Sequence, residues 1–323
     1  MSSEPAVSVI VQARNAAATL ERTLDCLARQ QLDAEAEAEV IVVDDRSDDA
    51  TAAIARAHPI GATVVESDLP PGPGNARNAG ARVARAPWLA FTDADCFPTE
   101  RWLARGLAAI DSLDLVQGAV DPDPLVPLGP FDRTVIVSAE RGLYETANLF
   151  VRRDLFERIG GFEDWILENG VPPERTIGED VLFGWQARRA GARTGFVPEA
   201  LVHHAVFAKG PIEAMRYRWA WRHLPALASR IPELRDRTFY RRWFFERRSA
   251  MFDLALAGGL LAAALRRPLP LLTALPYARW VWKESVKWRQ HGRVRVALAM
   301  VGVDSASCAA LVVGSVGWRA ILI

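Results

Sequence analysis

Short apolar runs, three of them rich in β-branched residues, alternate with helix-forming segments through the first third of the chain. The runs occupy residues 7–11, 40–43, 62–65 and 88–92. The segments between them carry Leu or Ala at helical spacing, or open with acidic side chains as helices often do. Strands that alternate with helices predict an α/β fold with a mainly parallel sheet flanked by helices, and ligands bind beyond the carboxyl ends of such strands.

Charged side chains stand where these strands end. Asp44 and Asp45 close the second strand, and Asp93 and Asp95 follow the fourth in the segment FTDADCFP. Two Asp residues spaced by one position point to the same side of an extended backbone, so both can reach one hard cation and the phosphates it carries. Asp is also common in solvated turns. Because Asp44 and Asp45 also stand at the end of a strand, a cation and phosphate site is favoured over a solvated turn.

The alternation continues to about residue 208. We predict helices at 102–110 and 179–191, a strand at 115–120 and an edge strand at 147–151. Beyond residue 209 the sequence becomes helical and basic. The mainly parallel sheet therefore belongs to the part of the chain before residue 209.

The two parts of the chain differ in charge. Residues 209–323 hold 20 Lys/Arg against 7 Asp/Glu, and residues 1–208 hold 19 against 32. This surplus predicts a basic surface that faces an anionic partner. Seven of the eleven Trp also lie in the basic part among Arg and apolar runs, which is typical of a bilayer interface more than of a nucleic-acid groove. We expect a catalytic domain over 1–208 and a membrane-associated extension over 209–323, with a basic helical subdomain around an aromatic core as the alternative.

Three apolar stretches of the extension are candidates for membrane contact, at residues 250–265, 268–282 and 294–316. Asp253 and Asp304 interrupt the first and the third, so neither is a clean run of about 20 uncharged residues. Helices that lie in the interface fit this mixed character better than spanning helices, which stay open as an alternative.

The cysteines and the start of the chain bear on the compartment. Cys26, Cys96 and Cys308 show neither disulfide nor zinc-ligand spacing, and no signal-peptide pattern precedes the first strand. A reducing compartment is therefore expected, with the catalytic half at the cytoplasmic face of a membrane.

Five segments carry a family resemblance: VSVIVQARNAAATL, VVDDRSDDAT, GNARNAGARVARAPWLAFTDAD, ANLFVRRDLFERIGGFED and GEDVLFGWQARRAG. Their order and spacing resemble those of glycosyltransferase family 2, whose members invert the anomeric centre and have the GT-A fold. The resemblance covers about residues 5–207, and the tail is similar to membrane-associated extensions of bacterial members. It implies a metal-dependent, hexosyltransferase-like enzyme of glycan biosynthesis that uses a nucleoside-diphosphate sugar, which we expect to be UDP-linked.

The resemblance implies a role for the residues at the strand ends. Arg14 and Asp45, with Asp44 beside them, would line the pocket for the base and ribose, and Arg77 would contact the base or the diphosphate. GPGNARNAG lacks the Lys-Ser/Thr ending of a phosphate-binding P-loop, so it is interpreted as a donor-side loop.

The Asp93-Ala-Asp95 pair corresponds to the family's DXD motif. Asp93 would bind ribose or metal, and Asp95 would be the direct ligand of Mg²⁺ or Mn²⁺ on the diphosphate. Many relatives complete this metal site with a histidine, and His204 aligns better than His203. A hydrogen-bonded structural histidine is the alternative.

Glu179 and Asp180 match the family's ED motif, in which Asp is the general base. Glu179 would orient substrate, although acids in the first turn of a helix also simply favour the helix dipole. Leu182 stands where a related pattern has a further acid. That acceptor contact is therefore absent from the prediction.

The GGFED segment, with Gly161 and Phe162, resembles the acceptor-side loop, although a Gly-Gly pair is also an ordinary helix stop. Trp165 would stack on a sugar or simply pack, and the stretch after it is longer than usual. The acceptor is expected to be a hydroxyl, either lipid-linked or on a soluble glycan. Two alternatives stay open: another metal-dependent nucleotide enzyme, such as a nucleotidyltransferase or phosphohydrolase, and a non-catalytic nucleotide-sugar-binding membrane protein.

Overall fold

The computed structural model describes residues 4–32, 36–165 and 177–323, which form two compact units. The first unit comprises the chain up to residue 127 together with residues 134–206, and the second comprises residues 128–133 and 207–323. An antiparallel bridge between Arg133 and Phe207 holds the short segment in the second unit. The Arg133 guanidinium also lies 5.1 Å from the centre of the Phe207 ring. On sequence alone, residues 128–133 belong with the first part of the chain.

The first unit is built on one sheet. Its strands are β1 (Val7–Ala13), β2 (Ala38–Asp44), β3 (Thr63–Glu66), β4 (Trp88–Asp93), β5 (Cys96–Pro98), β6 (Leu115–Pro122), β7 (Leu149–Arg152) and β8 (Thr194–His204), in the order β3-β2-β1-β4-β7-β6-β8-β5. The pairs β3–β2, β2–β1, β1–β4 and β6–β8 are parallel, and the other three pairs are antiparallel. The predicted mainly parallel sheet is confirmed.

Helices flank this sheet: α1 (Leu20–Ala28), α2 (Thr51–Ala57), α3 (Pro73–Val83), α4 (Trp102–Leu107), α5 (Arg153–Arg158) and α6 (Glu179–Arg189). Helix α3 approaches the sheet closely at Gly80. A Cβ there would lie 2.6 Å from Cγ2 of Ile10 and 2.9 Å from Cγ2 of Val43. Glycine therefore sets the distance between α3 and strands β1 and β2.

Strand β7 does not lie at an edge, contrary to the sequence-based expectation. It pairs antiparallel with β4 on one side and with β6 on the other. Leu149, Phe150 and Val151 are fully buried. An apolar run identifies a strand covered on both faces, but it does not tell which strands lie beside it.

The second unit is helical, as expected. Its helices are α7 (Pro211–Arg218), α8 (Leu224–Arg230), α9 (Leu234–Arg237), α10 (Arg247–Leu265), α11 (Leu275–Lys287) and α12 (Arg293–Gly317). Helix α12 packs against α7 and the 3-10 helix Trp219–His223. By length and composition, α10 and α12 could each cross a membrane, and only 17% and 39% of their apolar windows are buried.

Candidate active site

The predicted donor-side residues come from three neighbouring strands. In the sheet register, Ala13 is the partner of Asp44 and Gln12 is the partner of Asp93. Strands β2 and β4 thus end on either side of β1, with adjacent strands about 4.8 Å apart. Arg14 continues directly from β1. The parallel register therefore brings the carboxylates of both sequence motifs to one edge of the sheet.

Asp44 and Asp45 are buried carboxylates with incomplete hydrogen bonding. Oδ2 of Asp45 accepts the backbone N–H of Gly72 at 3.2 Å and lies 4.0 Å from the Arg14 guanidinium. Within the described residues, Oδ1 of each Asp has no partner. Burial raises the pKa of Asp45. Because buried polar atoms are nearly always hydrogen-bonded, these oxygens are available to accept from water or from the hydroxyl groups of a ligand.

Arg77, on α3, joins the two acidic motifs. Its Nη2 donates to Oδ1 of Asp93 at 2.9 Å, and its Nη1 donates to Oε1 of Glu179 at 3.2 Å. The guanidinium is buried. Burial disfavours its charge, yet Asp93 and Glu179 raise its pKa overall. Two of its nitrogens are thus committed to carboxylates, and its predicted contact with base or diphosphate stays a prediction.

Asp95 and His204 face each other beside β5 and β8. His204 Nε2 lies 3.5 Å from Oδ1 of Asp95. On the other side of the ring, Nδ1 lies 2.7 Å from the carbonyl oxygen of Ala205. That carbonyl can only accept, so Nδ1 carries a hydrogen and Nε2 is the ring nitrogen that faces the carboxylate. An imidazole nitrogen and a carboxylate oxygen at this distance would fit a shared cation, and this pair of ligand types suits Mn²⁺.

Cys96 is a third donor at this place that sequence reasoning did not single out. A ligand atom from each of Asp95, Cys96 and His204 lies within 4.8 Å of the others. Burial raises the pKa of the Cys96 thiol well above its usual value. A protonated thiol is a poor metal ligand. Asp95 and His204 are therefore the better candidate ligands for a hard cation. His203, the neighbour of His204 on β8, points to the opposite face of the strand.

The predicted base stands at the start of α6. Gly178 precedes the helix with a φ of 88°, a left-handed conformation that glycine adopts without strain. Oδ1 of Asp180 accepts the backbone N–H of Val181 at 2.7 Å. Burial, and then the negative charges of Glu179 and Glu145, raise the pKa of Asp180 well above its usual value. A carboxylate with a raised pKa has a stronger tendency to take up a proton, as a general base requires.

Sequence reasoning missed Glu145. It immediately precedes the 3-10 helix Thr146–Asn148, which leads into β7. It is half-buried, and burial raises its own pKa. The only sequence feature that points to Glu145 is its place directly before the apolar run TANLFV. No pattern linked that acid to Asp180.

Asp164 ties the GGFED segment to the donor-side loop. Its carboxylate accepts the backbone N–H groups of Gly74 at 3.3 Å and Asn75 at 2.7 Å, in the first turn of α3. Burial raises its pKa to about 6. By resemblance, the GGFED segment that holds Asp164 is expected on the acceptor side. Its position makes the GGFED segment a support for the helix that carries Arg77.

The predicted acceptor-side residues lie in a packed region. Gly161 has a φ of 73° and its N–H closes α5 on the carbonyl of Phe156. Phe162 is 4% exposed, and its ring centre lies 4.4 Å from that of Phe183. Trp165 is 5% exposed. Their contact with an acceptor stays a prediction, and the long stretch after them falls partly on residues 166–176, outside the described residues.

Comparison with known proteins places this site in a family. Residues 8–162 match the profile described as glycosyl transferase family 2. The glycosyltransferase AglE of Haloferax volcanii is 30% identical over 230 residues, which cover 67% of this chain and 72% of the relative.

Solved structures show the same fold. The mannosyltransferase PcManGT from Pyrobaculum calidifontis, in complex with GDP-Man and Mn²⁺, has a TM-score of 0.58 at 20% identity and covers 98% of this chain and 88% of its own. S. aureus TarS 1–349, in complex with UDP-GlcNAc, has a TM-score of 0.50 at 20% identity, with coverage of 97% and 92%. The mixed, mostly parallel sheet with its flanking helices thus defines a GT-A-like fold. The chain belongs to glycosyl transferase family 2, as the five motifs predicted.

Proposed function

We propose that this chain is an inverting, metal-dependent glycosyltransferase that moves a sugar from a nucleoside-diphosphate donor to a hydroxyl acceptor. One observation carries the proposal: the buried Arg77 guanidinium pairs with Asp93 of the DXD motif and with Glu179 of the ED motif. Through it, the residue next to the candidate base is held against the strand end that carries the candidate donor site.

The donor would lie over the carboxyl edge of the sheet. The unpaired oxygens of Asp44 and Asp45 would accept hydrogen bonds from base and ribose, with Arg14 beside them. The proposed base is uracil, in line with the UDP-sugar expectation. Structures of similar fold hold either UDP-GlcNAc or GDP-Man. That both occur on one fold supports a nucleotide-sugar donor.

Asp95 and His204, with Asp93 nearby, would hold Mg²⁺ or Mn²⁺, and the imidazole favours Mn²⁺. When bound, such an ion stabilises the negative charge that develops on a leaving diphosphate. The protein supplies few ligands for it, because phosphate oxygens and water complete the shell.

Asp180 would perform the proton transfer. Its carboxylate takes the proton of the acceptor hydroxyl while that oxygen forms a bond to the anomeric carbon. The bond between the anomeric carbon and the diphosphate oxygen breaks with its electron pair going to the diphosphate. Attack from the opposite face inverts the anomeric configuration, and Glu179 keeps α6 in place through Arg77.

The second unit would attach the enzyme to the cytoplasmic face of a membrane. Its surplus of basic residues, its tryptophans and the exposed apolar surface of α10 and α12 support this location. Membrane attachment favours a lipid-linked acceptor, with a soluble glycan as the other candidate.

The test separates donor binding from transfer. Nucleoside-diphosphate release and donor binding are measured with Mn²⁺ or Mg²⁺ for wild type, Asp95→Ala and Asp180→Asn, over a panel of UDP- and GDP-sugars. We expect Asp180→Asn to bind donor as wild type does while its turnover falls by about 10²-fold or more. Asp95→Ala should lose metal-dependent donor binding.

Unchanged turnover in Asp180→Asn would remove this residue as base. Wild-type activity of Asp95→Ala would remove the metal role. Inorganic phosphate or pyrophosphate as the product would favour a phosphohydrolase or a nucleotidyltransferase.

A further inference from the structure

An open groove of about 580 Å³ lies in the second unit between the start of α10 and the middle of α11. Its walls carry four cations, Arg247, Arg248, Arg279 and Lys283, against one carboxylate, Glu246. We call this feature the cationic groove. Its volume falls in the range of ordinary ligand pockets, about 300–1,000 Å³.

The charge of the cationic groove is only partly neutralised. Arg248 is paired with Asp304, through Nη2 at 2.6 Å and Nε at 2.9 Å. Arg247, Arg279 and Lys283 are exposed, and no salt bridge joins them to any residue that the structure describes. After Glu246 is counted against them, a positive surplus remains. The groove is therefore complementary to an anion.

Apolar side chains line the rest of the groove. Met251, Pro276 and Trp280 contribute its apolar wall. The Trp280 ring stacks on Tyr277 with 6.4 Å between centres, and the Arg248 guanidinium lies 4.5 Å from its centre. A site for free inorganic phosphate would need no such wall. Cations beside an indole and aliphatic surface suit a ligand with a charged head and an apolar body.

An exposed apolar belt continues from the groove along the same helix. The belt consists of Leu254, Leu261 and Leu265, which share one side of α10 with Arg247, and Leu269, Leu271 and Leu272 of the 3-10 helix that follows. Thr273 donates a hydrogen bond to the carbonyl of Leu254, which holds this second helix against α10. The 19 residues of α10 extend about 28 Å, close to the hydrocarbon thickness of a bilayer.

We propose that the cationic groove binds the phosphate headgroup of an anionic membrane lipid whose hydrocarbon chains lie along the leucine belt. The three unpaired cations contact the phosphate, and Trp280 lies at the level where headgroup meets chain. This inference deepens the membrane attachment given under the proposed function and rests on that attachment. It does not depend on the chemistry at Asp180.

The test uses the full chain and a soluble lipid. Binding of monomeric dihexanoyl phosphatidic acid, dihexanoyl phosphatidylcholine and inorganic phosphate is measured by calorimetry. The groove variant is Arg247→Gln/Arg279→Gln/Lys283→Gln. The control is Arg266→Gln/Arg289→Gln/Arg295→Gln, which removes as many exposed charges from the same unit outside the groove.

We expect wild type and control to bind phosphatidic acid alike and the groove variant to bind at least about 10-fold more weakly, since basic residues near an anionic headgroup attract it. Phosphatidylcholine should bind more weakly, and inorganic phosphate should not displace the lipid. Equal losses in both variants, equal affinity for phosphatidylcholine, or displacement by inorganic phosphate at equal concentration would overturn the proposal.

Donor binding and nucleoside-diphosphate release are measured on the same preparations. The groove variant should match wild type in both, because its substitutions leave the strand-end carboxylates unchanged. Lipid binding without turnover in wild type would reject the transferase and leave the groove proposal standing. Turnover without lipid binding would reject the groove alone.

Discussion

At the scale of single residues, Arg77 is a buried cation that pairs with acidic residues of both proposed functional motifs. A buried cation is costly unless oppositely charged partners surround it. Arg77 has two such partners, Asp93 and Glu179. The planar guanidinium can donate hydrogen bonds to two carboxylates at once, which a lysine ammonium does less well. The residue therefore fixes the spacing between two motifs that are far apart in the sequence.

Replacing Arg77 should destabilise the first unit. Arg77→Ala leaves two carboxylates without their cation, so we expect a loss of about 3–5 kcal/mol in the free energy of unfolding. Chemical denaturation followed by circular dichroism measures it. The matched control is Arg82→Ala on the same helix, where the pair with Asp68 is exposed and worth about 0–1 kcal/mol. Similar losses in the two variants would contradict the role given to Arg77.

The charge of Glu145 should move the pH profile of transfer. Asp180 has a raised pKa, so its proton-accepting form is lost as pH falls through that value, and kcat/KM should fall on the acidic side above the usual carboxylate range. Glu145→Gln removes one of the charges that raise this pKa. The acidic limb of the variant should therefore shift to lower pH.

The measurement is kcat/KM against pH for wild type, Glu145→Gln and the control Glu157→Gln. Glu157 is an exposed acid on α5 that pairs with Arg153. A shift of the acidic limb to higher pH in Glu145→Gln, or an equal shift in the control, would show that Glu145 does not act on the base.

At the scale of elements, the close packing of α3 on the sheet keeps the Arg77 side chain in its buried position. Gly80→Ala would place a methyl group against Ile10 and Val43. We expect a destabilisation of about 1–3 kcal/mol from overpacking, together with weaker donor binding because α3 shifts.

Thermal unfolding and donor titration measure these effects. Gly259→Ala on α10 is the control, because a Cβ there meets nothing within 4 Å and alanine favours a helix by up to about 1 kcal/mol. A Gly80→Ala protein as stable as wild type would show that α3 adjusts without cost.

At the scale of the whole molecule, the second unit should determine where the protein is found. We expect the full-length chain to sediment with membranes at low salt and to be partly released by about 1 M salt, at which the Debye length falls to about 3 Å. Detergent should release the remainder, which the apolar helices hold. Fractionation at both salt concentrations measures this. A chain that stays in the supernatant throughout, without detergent, would contradict membrane attachment.

Much of the fold follows from the sequence alone. The alternation of short apolar runs and helical segments predicted the parallel strands, since the side-chain periods of strand and helix are local properties. The acidic residues that end β2 and β4 were recognisable because the carboxyl ends of parallel strands share one edge. The family followed from five motifs in register, and the helical nature of residues 209–323 followed from their composition.

Contacts between distant residues required the tertiary structure. Arg77 and Glu179 are 102 positions apart, and Asn75 and Asp164 are 89 apart. No periodicity connects such pairs, because their proximity depends on how strands are ordered and helices packed. The same holds for β7, whose interior place depends on its neighbours in the sheet. The sequence by itself determined which elements form and which residues end them, whereas only the folded chain decided which charges meet, because pairing energy depends on distance in space.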